Sequence, residues 1–184
     1  MTRDPTATRA ALVQAAIDGL VEVGYVRTTG VEVCRRAGVT RGALNHHFAD
    51  HGELLVAALE EVYAQLLARR DETPLTVRHW VDVAHARTSR PELKAVIELW
   101  LASRNDPDLG ARLADAIARL ALLFRPGDVV AAGGPEVHTF LRMATETLLG
   151  LALGRAVTPQ PLAHEAAVVD HLRRLADALD EEAR

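Results

Sequence analysis

The stretch Thr40-Arg41-Gly42-Ala43-Leu44-Asn45-His46-His47 gathers side chains that can read a nucleic acid. Arginine can fork to the two acceptors of guanine and asparagine can exchange two hydrogen bonds with adenine. Each good bidentate pair discriminates against the wrong base by about 1–3 kcal/mol. Gly42 and Ala43 are small enough to let a helix approach a base edge closely. On a helix, Leu44 points inward with Val33, Ala37, Val39 and Phe48, and Arg41, Ala43, Asn45 and His46 are left facing out. Arg27, Thr29, Thr40 and His47 suit phosphates, because hydroxyls and backbone N–H groups at helix starts lie where an anion is favoured.

These side chains work only if the elements around them hold them outward. Thr29-x-x-Glu32 has capping-box spacing: the hydroxyl can accept from the third backbone N–H while the carboxylate reaches back. A short helix to Ala37 follows, Gly38 permits a positive φ in a tight turn, and Thr40 can cap the next helix, which runs toward Phe48. Ahead of this pair, Asp4-Pro5 offers a cap followed by proline at the first helical position. Leu12, Val13, Ala16, Ile17 and Leu20 then form one apolar stripe, closed by Gly24 as a left-handed cap. Asp50-x-x-Glu53 opens a longer helix to about residue 70, with Leu54, Leu55, Ala58, Leu59, Val62 and Leu66 inward. Two short capped helices joined by a glycine turn, with a third before them, have the layout of a helix-turn-helix.

Apolar residues recur at spacings of three and four throughout, and no segment alternates as a strand would, so the expected class is all-α. Further amphipathic segments cover 76–88, 92–104 and 107–124, with Pro91 and Pro107 near two of the starts. A Gly- and Pro-rich loop is expected over 125–135, and long helices over 136–156 and 162–181, joined through Pro159 and Pro161.

The run from Thr8 to Leu55 resembles the DNA-binding region of the TetR family of bacterial transcriptional regulators. It carries Thr8-Arg9, Ala15-Ala16, Gly24-Tyr25, Thr28-Thr29, Ala37-Gly38-Val39-Thr40, Gly42-Ala43-Leu44, His47-Phe48 and Glu53-Leu54 in order. The resemblance covers about a quarter of the chain and implies nine or ten helices, a two-fold dimer through the last two long ones, and a ligand cavity in the middle helices. It implies an N-terminal helix-turn-helix domain at residues 1–49 and a helical ligand-binding and dimerisation domain at 50–184. It also places His51 where a phosphate-binding lysine is common and Asn45 where a tyrosine usually presses on the sugar-phosphate backbone. The expected function is a ligand-responsive repressor, released from a pseudo-palindromic operator by a small molecule. The alternative is the same scaffold binding small molecules with weak or no operator affinity.

Other chemistry finds little footing. His46, His47 and His51 cluster, but Phe48-Ala49-Asp50 breaks the helix between them and zinc would need further ligands. His164-Glu165 and His171 miss zinc-protease spacing, and neither a phosphate-cradling glycine loop nor a Gly-x-Ser-x-Gly elbow is present. No enzyme, metal or cofactor is expected. In the later helices Trp80, His85, Trp100, Arg104, Arg142 and Glu146, with His79, are large or polar side chains on otherwise apolar segments and are candidates to line an effector pocket. Core packing explains them equally well, and Arg142 and Glu146, four apart, can pair with each other. Phe140, Leu141, Leu148, Leu149, Leu151 and Ala152, with Val168, Val169, Leu172, Leu175, Ala176 and Leu179, offer more apolar surface than one monomer needs to cover, which favours a homodimer.

Composition sets the outer bounds. The 184 residues are 49% hydrophobic and 25% charged, enough apolar mass for a globular core. The formal charge of −4 argues against a protein that coats DNA, yet residues 1–48 hold six arginines against four acids while the remainder is net acidic. No stretch reaches the roughly 18 apolar residues of a membrane span and no secretory leader is evident, so a cytoplasmic protein is expected. The single cysteine, Cys34, is expected to pack as a small residue.

Overall fold

A computed structural model describes residues 4–68, 76–119, 133–158, 160 and 162–183. Among these residues the chain is all helix, with nine α-helices and no strand. They are α1 (Pro5–Val23), α2 (Gly30–Ala37), α3 (Arg41–His47), α4 (His51–Ala68), α5 (Val77–Thr88), α6 (Leu93–Ser103), α7 (Pro107–Ala118), α8 (Pro135–Val157) and α9 (Glu165–Glu182). A one-turn 3-10 helix, Tyr25–Arg27, stands between α1 and α2. Most of the loop expected at 125–135, the end of the segment expected at 107–124, and Pro159 and Pro161 lie outside the described residues. No described helix is long and apolar enough to cross a membrane.

The chain divides by compactness into two units, Met1–Leu66 with Pro91–Leu120, and Leu67–Arg90 with Ala121–Arg184. In the first, α1 starts as its sequence dictates: the Asp4 carboxylate accepts from the Thr6 amide at 3.0 Å, with Pro5 at the first helical position. Leu12, Val13, Ala16, Ile17 and Leu20 are all buried. Gly24 ends the helix at φ +79° and ψ 173°, so its φ is positive as expected. Its ψ is extended, however, and the chain leaves into the 3-10 turn instead of closing a left-handed cap. The inward set expected of α4, from Leu54 to Leu66, is likewise buried. Cys34 packs in the core, where burial pushes its thiol pKa up, away from reactivity.

Two acidic side chains tie the later helices of this unit to the earlier ones. Arg112 on α7 donates to both Asp50 oxygens at 2.7 Å, and the Glu98 carboxylate on α6 accepts from the Tyr25 amide at 2.9 Å. Compactness therefore groups α6 and α7 with the N-terminal helices, a different cut from the domain division expected between residues 49 and 50.

In the second unit α5 packs on α8 and α9. Thr76 caps α5 by accepting from the His79 amide at 3.0 Å. Asp180 on α9 accepts from the Val77 and Arg78 amides at 2.8 and 3.0 Å, so a neighbouring helix satisfies donors that the helix itself leaves open. Trp80, Val81 and Ala84 meet a core that includes Phe140, Leu141, Ala144, Leu148, Val169, Leu172 and Ala176, all buried. Much of the apolar set expected to be spare is thus consumed within one chain. Met143, Leu153, Val157 and Leu175 stay exposed.

Candidate nucleic-acid interface

The helix-turn-helix is built by three local devices. Thr29 accepts from the Glu32 amide at 3.3 Å and Thr40 from the Ala43 amide at 3.2 Å, so each short helix begins at a hydroxyl cap. Gly38 between them takes φ +64° and ψ 38°, the left-handed conformation that glycine adopts without a Cβ clash. After α3 the chain turns at once: Asp50 accepts from the Glu53 amide at 2.9 Å while Glu53 accepts from the Ala49 amide at 2.6 Å. This reciprocal box pins the start of α4 directly behind α3.

The first box is only half formed. Thr29 caps as expected, but the Glu32 carboxylate does not reach back; it accepts from Arg35 at 2.8 and 2.7 Å and from Arg36 at 2.6 Å. Two guanidinium groups outcompete one backbone N–H, because charge-assisted hydrogen bonds are roughly twice as strong. The arginines, Arg35 first, hold the Glu32 carboxyl down to about pKa 2. Arg36 also donates to Glu22 on α1 at 2.6 Å, which fastens α2 to α1.

The anchors and the outward set separate as the helical pattern requires. Val33, Leu44 and Phe48 are buried but Ala37 and Val39, also expected inward, only half-buried, whereas Arg41, Gly42, Asn45 and His46 are exposed and Ala43 and His47 half-buried. A Cβ on Gly42 would meet only the Thr40 hydroxyl, at an ordinary 3.7 Å, so nothing inside the chain demands glycine there. The rings of His46 and His47 pack edge to face with centroids 5.4 Å apart. Thr29, Thr40 and Arg27 are exposed; the Arg27 Nε donates to the Val23 carbonyl at 3.1 Å.

The charge available to a phosphate is therefore smaller than the arginine count. Arg35 and Arg36 are spent on Glu32 and Glu22, while Arg27 and Arg41 have no acidic partner among the described residues. Arg9, which sequence reasoning left without a role, lies 5.1 Å over the Phe48 ring and is exposed. His51 is half-buried, its Nδ1 makes no hydrogen bond among the described residues, and burial pushes its pKa below the ordinary 6.5. Burial thus disfavours a charge on its imidazole, where a lysine would carry one.

The effector-pocket candidates of the two units differ in exposure. In the first, Trp100 and Arg104 on or just after α6 are exposed. In the second, Trp80 is core, Arg142 and Glu146 are exposed on α8, His79 is half-buried, and no ion pair joins Arg142 to Glu146 among the described residues. His85 stands 3.5 Å from Glu165, which accepts from Arg155 at 2.5 Å; Arg155 in turn donates to the Thr88 carbonyl at 2.5 Å. No group of three or more His, Cys, Asp or Glu side chains able to hold a metal occurs among the described residues.

Residues 12–58 match the model of the bacterial regulatory proteins of the tetR family. An uncharacterized HTH-type transcriptional regulator of Mycobacterium tuberculosis is 30% identical over 171 residues, covering 84% of this chain and 85% of that one. The HTH-type transcriptional regulator BetI of Klebsiella pneumoniae is 38% identical over 58 residues, 32% of this chain and 30% of its own. Among solved structures, a transcriptional regulator from Rhodococcus sp. Rha1 superposes with a TM-score of 0.71 at 23% identity, covering 95% and 96% of the two chains. The multidrug binding protein EbrR, complexed with ethidium, superposes with a TM-score of 0.61 at 23% identity over 94% and 98%.

Proposed function

The chain belongs to the tetR family of bacterial regulatory proteins, and on that footing we propose that it is a homodimeric repressor whose two α3 helices read a pseudo-palindromic operator. The observation that carries this is α3 itself: a hydroxyl-capped helix, anchored through buried Leu44, that turns Arg41, Asn45 and His46 to the outside. Arg41 and Asn45 supply base contacts; Arg27, Thr29, Thr40 and His47 hold phosphates; Gly42 and Ala43 permit the close approach. His51 contributes as a half-buried group on which charge is disfavoured. Residues 1–49 form the reading head in this account, and 50–184 the effector and dimerisation part.

The dimer forms through α8 and α9. Met143 and Leu175 line an apolar groove of about 510 Å³ together with Phe140 and Leu179, and a second copy of the same pair of helices would cover it. The expected solution mass is that of two chains. A small molecule taken up in the middle helices releases the operator, and it does so only by its differential affinity for the two states. The structural likeness to EbrR supports an effector of some kind, without saying which. We place the protein in the cytoplasm, where its DNA is.

The test is a titration of selected DNA fragments against wild type, Arg41→Ala, Arg27→Ala and Arg35→Gln over a range of salt. Arg41→Ala is expected to weaken binding by about fivefold to more than a hundredfold per head, as the loss of about 1–3 kcal/mol implies. It should also relax the preference for one base pair in each half-site, whereas removing the proposed phosphate contact in Arg27→Ala flattens the plot of log K against log salt by about 0.9 per head. Arg35→Gln, whose guanidinium is already paired, leaves that slope unchanged. The reverse pattern would refute the assignment. A scaffold with little operator affinity is the second reading, favoured by the pairing of Arg35 and Arg36 and by the disfavoured charge on His51; failure of the wild type to bind any fragment above background would establish it.

A further inference from the structure

The 3-10 turn Tyr25–Arg27 carries one proposed phosphate contact, Arg27, and leads straight into another, the Thr29 cap of α2, yet it buries none of its own side chains. Val26 at its centre is 84% exposed. The C-cap residue of the turn, Thr28, is fully buried against Gly19 of α1, and the backbone bonds of the turn itself are mostly local. Gly24 donates to the Gly19 carbonyl at 3.2 Å, and the Thr28 amide to the Gly24 and Tyr25 carbonyls at 3.2 and 3.1 Å. The Thr28 hydroxyl donates to the Gly24 carbonyl at 2.7 Å. Such bonds fix the shape of the turn and say nothing of where it points.

One hydrogen bond comes from farther along the chain: the Glu98 carboxylate on α6 accepts from the Tyr25 amide at 2.9 Å, across 73 positions of sequence. Glu98 is a lone acid in the apolar run Val96-Ile97-Glu98-Leu99-Trp100. Its fit is close: a Cβ on Gly24 would lie 3.0 Å from the same carboxylate oxygen. Helix α6 also packs on α1 and on the turn itself, so Glu98 stands on a supported element.

We propose that Glu98 is a positioning residue for DNA binding: its carboxylate clamps the Tyr25 amide and so aims Arg27 and Thr29 at the phosphates. The bond works through the acceptor oxygen, so a neutral carbonyl in the same place suffices. The proposal rests on the operator reading above, but its geometric half can be judged without DNA.

The experiment compares Glu98→Ala and Glu98→Gln with wild type in two readouts, amide hydrogen exchange over Gly24–Thr28 and affinity for fragments selected by the wild type. Glu98→Ala is expected to speed exchange at Tyr25 at least tenfold and to weaken binding about tenfold, while Glu98→Gln stays within about threefold of wild type in both. Should Glu98→Ala fail to fold, Glu98→Leu, which keeps apolar bulk and lacks the acceptor, takes its place with the same expectation. Unchanged exchange in the variant without an acceptor, or a Gln variant as impaired as it, overturns the clamp. Faster exchange with unaltered affinity overturns its role in aiming the contacts. If the wild type binds no DNA, the operator reading fails, and the exchange data alone decide whether the clamp exists.

Discussion

At the scale of the residue, function turns on which charges are left unpaired. Six arginines precede Phe48, but Arg35 and Arg36 are absorbed by Glu32 and Glu22, so a count of charge overstates what the head can present to a phosphate. That pairing was hidden in the sequence because Glu32 also sits at capping-box spacing from Thr29, and spacing alone does not say which of two donors a carboxylate will choose. His51 yields a prediction of its own. Its pKa is depressed in the folded protein, so the unfolded chain takes up the proton more readily, and acid favours unfolding below the ordinary value of about 6.5. The stability it permits is complete above that value and declines as pH falls through 6.5 toward the lower folded pKa. Urea midpoints at pH 7.5 and 5.5 should therefore differ more in wild type than in His51→Gln; equal differences would show that the group is not buried as described.

At the scale of the element, the helix starts were legible because hydroxyl and carboxylate caps act through neighbours two or three residues away. Thr29, Thr40, Asp50 and Asp4 all cap where their spacing placed them. Thr40→Ala is expected to lower the unfolding free energy by about 1 kcal/mol, read as a drop in urea midpoint at constant slope. A change within error would mean that the Ala43 amide finds another acceptor. What spacing could not reveal were elements closed from afar. The 3-10 turn at Tyr25–Arg27 has no side-chain cap of its own and draws an acceptor from Glu98, and α5 draws a second one from Asp180. Helix α9 begins at Glu165, three residues later than its apolar pattern suggests. Its flanking His164 makes no side-chain cap, so the periodicity over 162–164 extends into a turn that is not helical.

At the scale of the molecule, the all-helical class and the place of the N-terminal helix-turn-helix followed from periodicity and caps, whereas the grouping of the later helices did not. Helices α6 and α7 join the N-terminal unit through contacts made by Glu98 and Arg112, side chains whose partners lie more than sixty positions away. The effector candidates suffered in the same way: Trp80 is as large as Trp100, yet one is core and the other half exposed, and no local pattern separates them. The exposed apolar residues of α8 and α9 carry the dimer proposal, under which pairing two weakly charged heads would give an operator-binding protein. Footprinting of the full chain on fragments selected from genomic DNA tests the central claim most directly. The account predicts two protected half-sites, inversely repeated and about one helical turn or a multiple of it apart, with both protections lost in Arg41→Ala/Asn45→Ala. Protection of a single site, or the same pattern in the double variant, would contradict it.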